Sequence, residues 1–302
     1  MNEAVIPFVS VIIPVYNDAE RLQICLKSLQ DQTYPKEQYE IIVVDNGSTD
    51  SPQGIVDQFS QARMDCESKP GSYAARNKGI LLAKGEVIAF TDADCIPASD
   101  WIEKGVEILL KTINCGLVAG RVDLFLHDPT QPTPVELYQK LTSFRQEAYV
   151  KNLKFGPTAN VFTFKHVIDA VGLFNDSLKS GGDFEWGNRV FSAGYQQTYA
   201  DGVKVAHPAR RSFQELYRRQ ARIIGGKFDL LEKKRYSLKG FARVLLVDIR
   251  RTLNMLLLIC KTDKLDGVDQ RLKAMMVALF AGYVLISEKT ACQLRGGSGV
   301  YR

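Results

Sequence analysis

The chain has 302 residues, of which 45% are hydrophobic and 24% charged. This is enough for one large α/β domain or a domain with an appendage, and the balance excludes long disorder. Net charge is +5 but uneven: Arg210 to Arg251 holds 13 Lys or Arg against four acids, so the remainder is net negative and the later part reads as a solvated helix face or as a surface for an anionic partner.

Six scattered cysteines (Cys25, Cys66, Cys95, Cys115, Cys260, Cys292) without a C-x-x-C argue against a disulfide frame or a zinc site. The start, MNEAVIPF, lacks a basic n-region and a long apolar run, so no secretory signal is expected. The longest apolar stretch, AMMVALFAGYVLI from Ala274 to Ile286, is shorter than the ~20 residues of a membrane span. It is expected to form a buried or interfacial helix.

In chain order, Phe8 to Pro14 (FVSVIIP) reads as a strand. Ala19 to Gln30 follows as a helix with Leu22, Cys25, Leu26 and Leu29 on one face, and Asn17 or Asp18 as N-cap. No G-x-G-x-x-G or G-x-x-x-x-G-K-[ST] occurs, so a nucleotide must be held another way. Tyr39 to Val44 is a second strand ending at Asp45. A carboxylate there, beside Tyr16, suits a ligand crevice, in which Asp45 accepts from a base N–H and Tyr16 stacks on the ring; taken singly, Asp45 equally caps its turn and Tyr16 packs locally. Ser72 to Lys84 reads as a helix with Ala74, Ala75, Ile80, Leu81 and Leu82 inward. Arg76 near its start is suited to a base carbonyl or phosphate, or is a plain surface residue.

Val87 to Thr91 is a buried strand that ends in Asp92-Ala93-Asp94. Two carboxylates at the end of a buried strand are costly without positive charge beside them. A hard divalent cation carrying a diphosphate supplies it.

Ser99 to Thr112 reads as a helix, Gly116 to Phe125 as a strand pair, Val135 to Val150 as a helix and Asn160 to Phe164 as a strand. Gly181-Gly182-Asp183-Phe184-Glu185 opens a helix on which Glu185 and Arg189 can pair. Tyr195 to Val205 is a last strand, followed by His207, a metal ligand only if it lies beside Asp94. Phe213 to Leu231 is a basic helix interrupted at Gly225-Gly226. In the last two helices the faces Leu245, Leu246, Ile249, Leu253, Leu256, Leu257 and Met275, Leu279, Tyr283, Ile286 are expected to pair.

VIIPVYN (Val11 to Asn17), IIVVDNGSTD (Ile41 to Asp50), AARNKG (Ala74 to Gly79), TDADC (Thr91 to Cys95) and GGDFEWGNR (Gly181 to Arg189) occur in this order. The set resembles family 2 glycosyltransferases of the GT-A fold, over roughly residues 8 to 230. The resemblance implies an α/β architecture: a Rossmann-like mixed sheet flanked by helices, with a C-terminal helical extension. Residues 1–230 form the catalytic domain (1–125 nucleotide-binding, 126–230 acceptor-side) and 231–302 the extension.

It further implies a UDP- or GDP-sugar donor, held by Pro14, Tyr16, Asn17, Asp45, Arg76 and Asp92. Mn²⁺ or Mg²⁺ sits on Asp94 with Asp92 and His207, and Asp183 is the general base, with Glu185 as competitor. The glutamate that usually precedes the base is here Gly182, which keeps a non-catalytic sugar-nucleotide or glycan-binding module as the alternative. Processive synthases carry Q-x-x-R-W and flanking spans; with tryptophan only at 101 and 186, a single addition is favoured. The implied setting is polysaccharide or glycolipid assembly on a glycan or lipid-linked acceptor, without nucleic acid. The protein is then cytoplasmic, peripheral on the inner face of the membrane, where the basic helix and apolar pair meet anionic lipid or else close the core or a dimer interface.

Overall fold

The computed structural model describes residues 6–142, 144–230 and 236–295. These form two compact units, Met1–Asp123 with Phe144–His207, and Leu124–Ser143 with Pro208–Arg302.

The first unit opens with β1 (Val9–Val15), α1 (Ala19–Gln30), β2 (Tyr39–Asp45), a short α2 (Gln53–Val56), β3 (Ala62–Cys66), α3 (Ser72–Leu82) and β4 (Val87–Thr91). Strands β1, β2 and β4 are rich in Val and Ile and are buried on both faces, as parallel strands under helices must be. β1 pairs parallel with β2 and β4, and β2 with β3. The registers Val15↔Asp45 and Ile12↔Phe90 bring the carboxyl ends of β1, β2 and β4 to one edge. That edge carries Tyr16, Asp45 and Asp92.

A two-residue β5 (Ile96–Pro97), α4 (Trp101–Lys111) and β6 (Cys115–Phe125) follow. The expected strand pair at 116–125 is thus one eleven-residue strand. After α5 (Pro134–Thr142), which belongs to the second unit, the expected helix to Val150 breaks. The chain resumes as α6 (Gln146–Ala148), continued by a wide turn over Tyr149–Leu153. Next come β7 (Asn160–Phe164), α7 (Lys165–Val171), α8 (Gly182–Ser192) and β8 (Gln196–Pro208), so His207 lies within a strand and not beyond it. The sheet order is β3-β2-β1-β4-β7-β6-β8-β5, with β7 antiparallel to β4 and β6, and β5 antiparallel to β8.

Trp101 and Phe162 anchor the core, their rings 4.6 Å apart, and the Trp101 indole N–H donates to Asn160 Oδ1 at 2.8 Å. Leu81, expected inward, is 71% exposed, whereas Arg76 and Asn77 of the same helix are buried.

The second unit packs α5, α9 (Phe213–Leu230), α10 (Leu238–Lys261) and α11 (Gly267–Arg295). α9 runs unbroken through Gly225 and Gly226, both buried; Leu231 lies outside the described residues. The α10–α11 contact is only partly the one expected. Leu137, Ile259, Leu265, Ala274 and Ala278 form the buried cluster, with Leu256 and Met275 against it. Leu246, Ile249, Leu253, Leu257, Leu279 and Tyr283 are exposed instead. The buried Asp248 accepts from Lys289 Nζ at 2.5 Å and pairs with Arg251 at 3.3 Å, which fastens α10 to α11. α11 has 29 residues and is long and apolar enough to cross a membrane by length and composition, contrary to the expectation from its thirteen-residue apolar run.

Gly105 sits where a Cβ would lie 2.4 to 2.6 Å from three carbons of the Phe162 ring. Gly105→Ala should therefore overpack the core and lower stability by about 1–3 kcal/mol in chemical denaturation, with the slope of the transition unchanged.

Candidate active site

The first corner, at the ends of β1 and β2, is built by two loops that hold each other. Asn17 adopts φ 50°, a left-handed conformation that asparagine tolerates. Its backbone N–H donates to Ser48 Oγ at 2.9 Å, and its Oδ1 accepts from the Thr49 N–H at 2.7 Å. Asp45 Oδ1 accepts from the Ser48 N–H at 3.0 Å. Neither Asn17 nor Asp18 caps α1 through its side chain. Asp50, from the loop after β2, accepts from the Ala19 N–H at 2.8 Å and does that work from a distance in sequence. Asp18 instead holds Arg21 at 2.6 Å, and burial raises its carboxyl above the usual range despite that partner. Tyr16, just beyond β1, is 55% exposed and leaves a ring face open to stacking.

The second corner centres on α3. Arg76 is 4% exposed, so it is no surface residue. Its Nη2 donates to Asp92 Oδ1 and its Nη1 to the Ser72 carbonyl at 3.3 Å, while Nε is buried without a partner among the described residues. The strand-end carboxylate at 92 therefore has a built-in counter-charge.

Asp94 is held differently. Its Oδ2 lies 3.6 Å from His207 Nε2 and 3.8 Å from Arg21 Nη1. The cause is the short ladder of β5 on β8: pairing of Ile96 with Ala206 places the residues just before Ile96 beside His207. His207 is buried, with the Phe144 ring 5.0 Å away. Cys95 Sγ joins this group, and the donor atoms of Asp94, Cys95 and His207 all lie within 4.8 Å of one another. Sequence reasoning assigned Cys95 no role. Burial, then the Asp92 and Asp94 carboxylates, push its thiol well above the ordinary range, so it stays protonated. Cys25 behaves alike for the same reasons. Carboxylate and imidazole donors fit a divalent ion that accepts oxygen and nitrogen; Asp92, named with them from sequence, is engaged by Arg76 and falls outside the group.

At the third corner Asp183 stands in the first turn of α8. Tyr73 Oη donates to its Oδ1, and the Thr158 N–H reaches its Oδ2 at 3.4 Å. Tyr73 was not anticipated, although its position three residues before Arg76 puts both on one face of α3. That face thus grips Asp92 and Asp183 together. Glu185 is spoken for: it pairs with Arg189 at 2.7 and 3.0 Å, and Arg189 donates onward to the carbonyls of Val171, Gly172 and Leu173. Its task is to fasten α8 to the end of α7.

Residues 10–172 match the family described as glycosyl transferase family 2. Glycosyltransferase AglE of Haloferax volcanii is 41% identical over 239 residues, 78% of this chain and 77% of that protein. A dolichyl N-acetyl-alpha-D-glucosaminyl phosphate 3-beta-D-2,3-diacetamido-2,3-dideoxy-beta-D-glucuronosyltransferase of Methanococcus voltae is 24% identical over 76% of this chain and 75% of its own length. Among solved structures, the mannosyltransferase PcManGT from Pyrobaculum calidifontis, in complex with GDP-Man and Mn²⁺, superposes with a TM-score of 0.62 at 19% identity, covering 96% of this chain and 87% of that one. GalNAc-T7 with UDP, GalNAc and Mn²⁺ gives 0.53 at 18% identity over 68% of this chain and 44% of that one. These two share the GT-A fold, in which a mixed sheet presents its strand ends to a single edge. With more than half the chain matching and a relative of that identity aligned along most of both lengths, the protein belongs to glycosyl transferase family 2 and is a glycosyltransferase.

Proposed function

We propose that the protein moves one sugar from a nucleoside-diphosphate donor to an acceptor hydroxyl with inversion, using Asp183 as general base. The observation that carries this reading is the convergence of Asp92, Asp94 and Asp183 at one end of the sheet, each with a different partner. Tyr16 stacks on the donor's base and Asp45 accepts from its N–H, with Pro14 and Asn17 shaping the loop around them. Arg76, too buried to reach far, serves the nucleotide by fixing Asp92.

Asp94 and His207 would hold Mn²⁺ or Mg²⁺, which when bound neutralises the charge that develops on the diphosphate leaving group. The imidazole donor favours Mn²⁺ of the two, and both neighbouring structures hold Mn²⁺. Asp183 takes the proton of the acceptor hydroxyl as that oxygen bonds to C1; the C1–oxygen bond to the diphosphate breaks on the opposite face and its electron pair leaves with the diphosphate. One such displacement inverts the anomeric centre. Glu185, committed to Arg189, is the poorer candidate for the base. The glycine that motivated a binding-only module has a local explanation, since the Tyr73 ring fills the space beside it.

The acceptor is proposed to be lipid-linked, a reading supported by the dolichyl-phosphate substrate in the name of the Methanococcus voltae relative. In the second unit, Leu246, Leu253 and Leu257 of α10 form one exposed apolar stripe, and Leu272, Met276, Leu279 and Tyr283 of α11 another. Arg243, Arg250 and Arg251, also exposed, lie on α10 among them. An apolar face edged with arginine suits the anionic inner face of a membrane.

Two outcomes follow. In a thermal-shift panel of UDP- and GDP-sugars with Mn²⁺, at least one donor should raise the melting temperature, because a ligand that binds only the folded state stabilises it. Asp94→Asn should then abolish metal-stimulated release of nucleoside diphosphate, and unchanged turnover would rule the reading out. Separately, the protein should float with anionic liposomes at low salt, and Leu253→Asp combined with Leu279→Asp should release it. Absence of flotation at low salt removes the membrane from the scheme.

A further inference from the structure

Asp183 occupies a position that ordinarily draws a carboxylate away from a substrate. An aspartate in the first turn of a helix tends to fold back on the helix's own unsatisfied N–H groups. Here both of its oxygens are claimed from elsewhere in the first unit: Oδ1 by the Tyr73 hydroxyl and Oδ2, more loosely, by the Thr158 N–H.

The tyrosine is itself clamped. Its ring, 6% exposed, stacks on Phe174 with centroids 5.8 Å apart, and the Arg76 guanidinium carbon lies 5.9 Å from its centre. Phe174 is fixed in turn by Phe90 at 5.5 Å and Trp186 at 5.2 Å. The Asn77 amide donates to the Phe174 carbonyl at 2.8 Å and accepts from its N–H at 3.0 Å. The ring therefore has nowhere to retreat. A Cβ on residue 182 would lie 2.7, 2.8 and 2.9 Å from ring carbons Cζ, Cε2 and Cδ2 of Tyr73. Only glycine fits beside a tyrosine held in this way. Gly182 and Tyr73 are one device: the side chain missing from α8 is what lets a phenol from α3 reach Asp183.

We propose that Tyr73 is the positioning residue of the reaction, its hydroxyl aiming the Asp183 carboxylate at the acceptor, with Gly182 kept bare to admit its ring. The proposal rests on the reading of Asp183 as base. Burial, reinforced by the neighbouring Asp183 charge, pushes the phenol far above its ordinary range, so it remains a donor at any working pH.

The test is a double-mutant cycle on nucleoside diphosphate release from GDP-mannose and a UDP-hexose with Mn²⁺, alongside Mn²⁺–nucleotide binding by calorimetry. Tyr73→Phe should lower kcat about 10- to 100-fold, the scale of a misplaced reacting group, with donor KM and nucleotide Kd within about twofold. Asp183→Asn should lower kcat by about 10²–10⁴-fold, and adding Tyr73→Phe to it should cost nothing further. If Asp183→Asn keeps full activity, the base assignment fails. If Asp183→Asn is inactive while Tyr73→Phe is fully active, or if the two losses multiply, the positioning role fails and the base assignment stands. Gly182→Ala should mimic Tyr73→Phe. A crystal structure of Tyr73→Phe gives a readout without turnover: the Asp183 carboxylate should leave its rotamer, and an unmoved carboxylate would overturn the proposal.

Discussion

Charge compensation at the end of a sheet is the constraint on which the rest of this molecule depends. Carboxylates carried to the rim of a buried sheet must be neutralised or hydrogen-bonded, or they will not stay ionised there. The protein answers differently for each. Asp45 is satisfied by backbone within its own turn, Asp92 by a buried guanidinium, and Asp183 by a phenol and a peptide N–H. Asp94 has the His207 imidazole and the Arg21 guanidinium beside its Oδ2, at 3.6 and 3.8 Å, and the weak Cys95 thiol donor at its Oδ1. Two acids two residues apart thus have different partners: Asp92 a buried guanidinium at close range, Asp94 an imidazole and a thiol that could share a cation with it.

Much of this was legible in the sequence because it is written in local patterns. Runs of Val and Ile fix β1, β2 and β4, and acids or turn residues directly after them fix where a ligand edge must lie. The pairing of Glu185 with Arg189 followed from helical spacing alone. What escaped notice was set by partners distant in the chain. The cap of α1 comes from Asp50, 31 residues beyond the N–H it binds. The hold on Asp183 comes from Tyr73, 110 residues earlier. His207 was named from sequence as a candidate beside Asp94, but the two-residue ladder that brings it there is too short to carry any periodicity.

The second unit shows the converse error. Apolar periodicity marked α10 and α11 but only part of the face by which they pack: Leu256 and Met275 meet the buried cluster, while most of the other residues named are exposed. Both helices carry apolar residues on more than one side, and pattern alone cannot say which side meets the partner. At Gly282 the two helices come close, since a Cβ there would lie 2.5 Å from Thr252 Oγ1 of α10, while Leu279 and Tyr283 are exposed. A buried Asp248 with its two cations then fixes the register of that pairing, a use of buried charge that favours specificity over stability.

The cap on α1 reaches beyond the helix it serves. Asp50 belongs to the loop that Asn17 ties to the end of β1, and the helix it caps carries Arg21, whose guanidinium lies 3.8 Å from Asp94. The loop after β2, tied to Asn17, therefore also anchors the first turn of the helix whose guanidinium stands beside Asp94.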